Sequence, residues 1–221
     1  RKVHGEDAWL SRVLSPTSVL DAVLDGVSTA QGRKASMHVK AKLEHASISN
    51  PEDVIKALEE ANGELFPYGS MTTIAATLKI NDRLHIFNAG DSLVYLFRDG
   101  STKELAISDR DPYSRAGITN CMGSQNYVCH QNEIALERND KIVLVTDGVI
   151  DNLIMRENKN NPGGKLFQNN ELYEKAIKHA KMPQDAVANL TKLMDKKDTD
   201  YTGYVFGRFK NDDATALIRF F

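Results

Sequence analysis

The sequence predicts an α+β fold built in layers. Three observations carry that expectation. Apolar, β-branched runs follow one another across links of a few residues. Helical stretches come in pairs between groups of such runs. Regular alternation of strand and helix is absent. Short links favour antiparallel pairing, because parallel neighbours need a long crossover.

The elements follow in chain order. "AWLSRVL" (8–14) predicts a first strand, and "SPTS" (15–18) a turn into "VLDAVLDG" (19–26). "AQGRKASMHVKAKLEHA" (30–46) places apolar residues at helical spacing. "PEDVIKALEEANGEL" (51–65) opens on Pro51 at a first helical position, with Asn50 before it as the cap. "TTIAATLKI" (72–80) alternates and is rich in β-branched residues; "ND" (81–82) turns it into "RLHIFNAG" (83–90). "SLVYLFR" (92–98) follows, and Asp99-Gly100 is a strong hairpin signal before "STKELAI". "IVLVTD" (142–147) and "ATALIRFF" (214–221) are further strands, and between them 170–181 and 183–197 form a helical pair broken at Pro183. The stretches 156–165 and 198–211 are expected as irregular loops, the second one a candidate groove lining.

The 221 residues suit one domain, residues 1–221, or at most two small ones, with 41% hydrophobic and 26% charged residues, which is ordinary for a soluble protein. A net charge of −2 argues against nucleic acid as the main partner, since phosphate binding needs a basic excess. No apolar run approaches the roughly 18 residues that span a bilayer, and no signal-peptide pattern is visible, so no membrane partner is expected. Two cysteines, Cys121 and Cys129, fit neither a CxxC site nor a disulfide framework and read as reduced thiols of a cytoplasmic protein. Neither is followed six residues later by the Arg of a phosphotyrosine-type nucleophile; Tyr127 and Ala135 stand there.

Acidic residues recur where apolar runs end. "KIVLVTDGVID" runs straight into Asp147-Gly148 with Asp151 just beyond, and "VLDAVLDG" ends on Asp25-Gly26. Glu6-Asp7 precede the first strand, Asp212-Asp213 the last, and Asp91 sits in a tight turn between two. A single Asp-Gly is commonly a plain turn, and Asp99-Gly100 is taken as one. Carboxylates gathered at buried strand tips repel one another and lose hydration, and a hard divalent cation relieves both penalties. Mg²⁺ and Mn²⁺ take oxygen ligands, and Gly after Asp lets a backbone carbonyl approach such an ion. Asp25 with the carbonyl of Gly26 is therefore a sensible coordinating unit, provided the strand ends meet.

The ordered motifs "GEDA", "VLDG", "GSMTTIAATL", "NAGDSLVYL", "SDRDP", "VLVTDGVID" and "NDDATALI" resemble those of the metal-dependent protein phosphatases, the type 2C serine/threonine family. The match runs the length of the chain. The resemblance implies a four-layer α-β-β-α sandwich, two antiparallel sheets flanked by helix pairs, with a metal centre in a cleft at one end. It implies Glu6 on the second ion, Asp25 bridging both with the Gly26 carbonyl completing that side, and Asp147 and Asp212 on the first. Asp213 then supports that ligand from beside it, or, on a one-residue slip, stands in place of Asp212. Asp91, Asp147 and Asp151 correspond to the set that holds a third, weaker ion, and Asp7 to a supporting hydrogen-bonding acid. The implied activity is Mg²⁺- or Mn²⁺-dependent hydrolysis of phosphoserine and phosphothreonine in phosphoprotein substrates, with Asp25 and Asp147 as the central residues and a water shared by ions about 3.5–4 Å apart as nucleophile.

The sequence departs from the family's pattern in places. Where the family often has a phosphate-gripping Arg, this chain has Lys2 with Arg1 beside it, a point charge in place of a bidentate fork. The stretch "DGVSTAQG" lacks the His found after Asp-Gly in many relatives, so water or a metal-bound water would have to protonate the leaving group. His4, more often in such a place a solvent-exposed or packed residue, is the one nearby side-chain candidate for proton transfer. "DTDYT" (198–202) matches the nucleophile pattern of haloacid dehalogenase-like phosphatases, but it follows the charged end of a helix where that chemistry needs a strand. The rival from another class is a catalytically silent relative that binds partners through the same fold. Against it, a chain freed from metal binding has no physical reason to keep so many acids at strand ends.

Overall fold

A computed structural model describes residues 5–111, 117–153, 155–158, 167–168, 174, 176–195, 204–206 and 213–221. The first half runs β1 (Ala8–Ser15), β2 (Ser18–Leu24), α1 (Gly32–His45), α2 (Pro51–Leu65), β3 (Ile74–Ile80), β4 (Arg83–Ala89), β5 (Leu93–Arg98) and β6 (Ser101–Glu104). The second half runs β7 (His130–Ala135), β8 (Lys141–Val145), α3 (Asp147–Leu153), β9 (Met155–Asn158), β10 (Phe167–Gln168), α4 (Pro183–Asp195), β11 (Tyr204–Phe206) and β12 (Ala216–Phe220). All strand pairings among the described residues are antiparallel. One sheet has the order β1-β2-β3-β4-β7 and the other β12-β8-β5-β6; β10-β9-β11 form a small third sheet.

The layers follow from the period-2 alternation of strand side chains. Leu20, Ala22 and Leu24 of β2 face α1 and α2 and pack with Val39, Leu43, Val54 and Leu58. Their neighbours on the opposite face, with Val23 of β2 and Ala75 of β3, pack between the sheets against Val94, Val143 and Val145. Ala176, Ile177, Ala186 and Leu190 cover the far side of the second sheet. The result is the α-β-β-α sandwich that the resemblance implied, with central strands buried on both faces. Asp21 of β2 faces inward as well; the Arg219 guanidinium of β12 grips it at 2.5 and 2.8 Å, which ties one sheet to the other.

Local chemistry accounts for the element ends. Asn50 accepts from the Asp53 backbone amide at 3.0 Å while the Asp53 carboxylate accepts from the Asn50 amide at 3.2 Å, a capping box that starts α2. Asp99 and Gly100 both have positive φ, 51° and 77°, which suits the two-residue hairpin joining β5 to β6.

Differences from the sequence expectation have physical reasons. β7 is hidden in the sequence because His130, Gln131, Asn132 and Glu133 are polar; it is the solvent-facing edge of its sheet. Asp147 does not end a strand but opens α3, with Asp151 four residues on along the same helix face. The expected loops 156–165 and 198–211 begin in β9 and contain β11 respectively; residues 159–166, 198–203 and 207–211 lie outside the described residues. So does the dehalogenase-like stretch 198–202, and the 170–181 helix is described as helical at 174 and 176–178. Among the described residues, no helix is long and apolar enough to cross a membrane. Cys121 and Cys129 are free, and burial pushes both thiols up to about 11, so they stay protonated at neutral pH.

Gly26 and Gly32 make a close approach that no other residue pair could make. A Cβ on Gly32 would lie 2.3 Å from the carbonyl carbon of Gly26. Gly→Ala inside a helix ordinarily stabilises by up to about 1 kcal/mol. Gly32→Ala is instead expected to destabilise by about 3 kcal/mol, as overpacking does. The urea midpoint measures it, and an unchanged or raised midpoint would contradict the close approach.

Candidate metal centre

Strand pairing brings the acids to one end of the sandwich. Ala8 pairs with Leu24, so Glu6 and Asp7, just before β1, meet Asp25, just after β2. Ile74 pairs with Ala89, which puts the β4–β5 turn and its Asp91 at that end. Val145 pairs with both Leu93 and Ala216, which adds Asp147 after β8 and Asp213 before β12. Antiparallel register within each sheet, with one sheet packed on the other, therefore collects residues more than two hundred positions apart.

The first group lies around Asp7 and Asp213. Asp213 Oδ2 accepts from the backbone amides of Gly5 at 2.5 Å and Glu6 at 2.7 Å, fixing the segment that carries Glu6. Glu6 is 6% exposed; its Oε2 accepts from Ser28 Oγ at 2.5 Å and its carbonyl from Ser36 Oγ at 2.5 Å. Asp7 Oδ2 accepts from Thr146 Oγ1 at 2.9 Å and Thr215 Oγ1 at 2.7 Å. The Asp25 backbone is held by Thr73 N and Thr72 Oγ1, each donating to its carbonyl at 2.8 Å. Burial raises the Asp7 carboxyl above its usual value of 3.8; the Thr215 and Thr146 hydroxyls pull it down, the nearby Asp213 charge pushes it up, and a hydrogen bond with Asp25 pulls it down again, so burial prevails. The sign is that of a strained charge: the fold favours protonated Asp7, and this contribution weakens as pH rises above 3.8.

The second group is Asp91, Asp147 and Asp151, gathered on Arg110. The guanidinium reaches Asp151 Oδ1 at 2.6 Å, Asp91 Oδ2 at 3.1 Å and Asp147 Oδ2 at 3.6 Å. Burial lowers the affinity of Arg110 for its proton, but the Asp151 hydrogen bond and the charges of Asp151 and Asp91 outweigh it, and its pKa is raised. Asp109 anchors the same segment, accepting from Gly90 N at 2.8 Å and Asn120 Nδ2 at 2.9 Å and pairing with His130 Nε2 at 2.8 Å. Sequence reasoning passed over Arg110. Its signal was a lone cation inside the acidic "SDRDP" motif, whose partners lie far along the chain.

Close packing holds these loops. A Cβ on Gly148 would sit 1.9 Å from the Asp213 carbonyl oxygen, so the glycine after Asp147 lets α3 abut the segment leading into β12. The glycine after Asp25 likewise serves the approach to Gly32, whether or not its carbonyl meets an ion.

Arg1, Lys2, His4 and Asp212 lie outside the described residues. Among the described residues, no three His, Cys, Asp or Glu side chains are already drawn into one ligand set. The chemistry of the donors nevertheless fits a hard cation: every one is an oxygen, Glu6 and Asp147 are buried, and the buried Asp7 Oδ1 and Asp91 Oδ1 have no hydrogen-bond donor. A groove of about 560 Å³ lined by Gln31, Lys34, His38, Glu64 and Tyr68 lies elsewhere, along α1 and α2, with none of these acids in its wall.

Solved structures share this architecture. A serine/threonine phosphatase from S. agalactiae superposes with a TM-score of 0.74 at 18% identity, over 99% of this chain and 94% of that one. PppA, a key regulatory component of T6SS in Pseudomonas aeruginosa, gives 0.72 at 19%, over 100% and 93%. The catalytic domain of the serine/threonine protein phosphatase PstP in complex with two manganese ions gives 0.68 at 20%, over 88% and 86%. At these identities the likeness establishes the fold. No curated protein sequence matches the chain. The family model of Stage II sporulation protein E, SpoIIE, matches residues 18–219, and the chain belongs to that family.

Proposed function

We propose that the protein is a metal-dependent phosphoprotein phosphatase acting on phosphoserine and phosphothreonine. One observation carries this reading above the rest: Glu6, Asp25, Asp91, Asp147 and Asp213 leave five different strand ends and gather at one end of the sandwich. The named activity of the solved relatives and the two manganese ions of PstP support it.

In this reading Glu6, Asp25, the Gly26 carbonyl, Asp147 and Asp212 hold two Mg²⁺ or Mn²⁺ ions. Such a pair, when bound, supplies a water of near-neutral pKa and stabilises charge on the phosphoryl oxygens. The chain's own part is placement. Asp213 holds Glu6 through two backbone amides, and Asp7 links Thr146 before α3 to Thr215 before β12. Lys2 and Arg1 attract the substrate phosphate as point charge and fork. The alkoxide leaving group takes its proton from water, since no His follows Asp25-Gly26. The two protonated, free thiols agree with a cytoplasmic site of action.

A phosphothreonine peptide with and without Mn²⁺ tests the reading. Phosphate release is expected with Mn²⁺, lost with EDTA, and reduced at least about 100-fold by Asp25→Asn, the scale of removing a transition-state contact. Mn²⁺ binding without turnover would instead favour the silent binding module.

The role of Asp213 is separable. As a backbone anchor it is expected to tolerate Asp213→Asn, whose amide oxygen still accepts both amides, while Asp213→Ala weakens Mn²⁺ binding about 10–100-fold, the scale of outer-sphere losses. Equal, large losses in both variants, measured by calorimetric titration, would make Asp213 the direct ligand.

A further inference from the structure

We propose that Arg110 is a built-in cation: its guanidinium fills the acidic set that the type 2C resemblance assigns to a third ion, so this chain binds one ion fewer than that set would allow. The proposal rests on the phosphatase reading for the meaning of the set, but its own evidence is the side-chain geometry.

One guanidinium spans all three acids, with Nη1 at 2.6 Å from Asp151 and Nη2 at 3.1 Å from Asp91 and 3.6 Å from Asp147. The group is enclosed, with side-chain exposures of 17% for Arg110, 5% for Asp91, 9% for Asp147 and 17% for Asp151. Mg²⁺ needs oxygens at about 2.0–2.1 Å in an octahedron. An ion that close to Asp151 Oδ1 and Asp91 Oδ2 would occupy the space of the guanidinium, so the two cations exclude each other. Expelling the guanidinium would strip Arg110 of its buried partners.

Arg110 is also placed from behind. Arg110 forms a β-bridge with Ile118, Asp111 N donates to Gly117 O at 2.8 Å, and Thr119 N donates to Asp109 O at 2.8 Å. Asp109 in turn accepts from Gly90 N, beside Asp91 itself. The backbone carrying Arg110 is therefore bonded to the turn carrying one of its acids. An Arg thrown outward from a mobile loop would lack such bracing. Electrically, the guanidinium neutralises part of the cluster before any ion arrives, and it shares Asp147 with the first-ion site.

The test counts bound Mn²⁺ by equilibrium dialysis and electron paramagnetic resonance in the wild type and in Arg110→Met, which keeps an unbranched apolar stem and loses the charged guanidinium. The variant is expected to bind one more ion than the wild type and to lose that extra ion when Asp151→Asn is added. Its metal-free melting temperature falls below that of the wild type, and added Mn²⁺ raises it by more than it raises the wild type's. Equal ion counts in the two proteins overturn the proposal. Should Arg110→Met fold only with Mn²⁺ present, the count on that folded form decides. A second readout uses the wild type alone: the Arg110 Nη–H resonances stay in their hydrogen-bonded positions through Mg²⁺ saturation, and their release as Mg²⁺ is added overturns the proposal. The phosphatase reading fails separately, through a wild type that binds no ion at all, since the difference between variant and wild type still reports on Arg110.

Discussion

Mutual repulsion among carboxylates at one dry end of the sandwich is the constraint on which the rest of the structure turns. Glu6, Asp91 and Asp147 are each buried, and Asp7 is held with its carboxyl raised by that burial. Such a gathering persists only where cations or donated hydrogen bonds offset it. The protein uses both. Hydroxyls from Ser28, Thr146 and Thr215 and the amides of Gly5 and Glu6 satisfy one half, and the Arg110 guanidinium satisfies the other. The remaining charge is what a pair of divalent ions would complete.

The scaffold makes that gathering possible by rigidity elsewhere. Antiparallel register aligns seven strand termini, and long-range contacts between the loops, such as Asp213 on the Gly5 and Glu6 amides, hold them together. The Asp21–Arg219 pair pins the two sheets in relative position, and glycines at 26, 32 and 148 permit backbone approaches that a Cβ would forbid. Substitutions at these places would disturb the centre without touching a single proposed ligand, through the ångström-scale displacement to which such sites are sensitive.

Much of this was legible in the sequence because the signals are local. Alternating apolar runs, the Asn50 cap and the Asp99-Gly100 hairpin each announce their structure within a few residues. Acids at the ends of apolar runs were visible for the same reason. What was hidden is non-local or exposed. β7 carries a polar face that only its pairing with β4 explains. Gly26 looked like a hinge for a metal-facing carbonyl, and its clash partner Gly32 is defined only by the fold. Arg110 stood in plain view within "SDRDP", yet its meaning depends on Asp91, Asp147 and Asp151 converging on it from other elements.

Anomalous diffraction from crystals of the wild-type protein grown with Mn²⁺ would examine the account most directly. Two manganese peaks are expected at the sandwich end, ligated by Glu6, Asp25 and Asp147, with the guanidinium of Arg110 still seated on Asp151. Absence of manganese from that end, in crystals whose solution protein had been saturated with the ion, would contradict the claim that these acids are assembled to hold it.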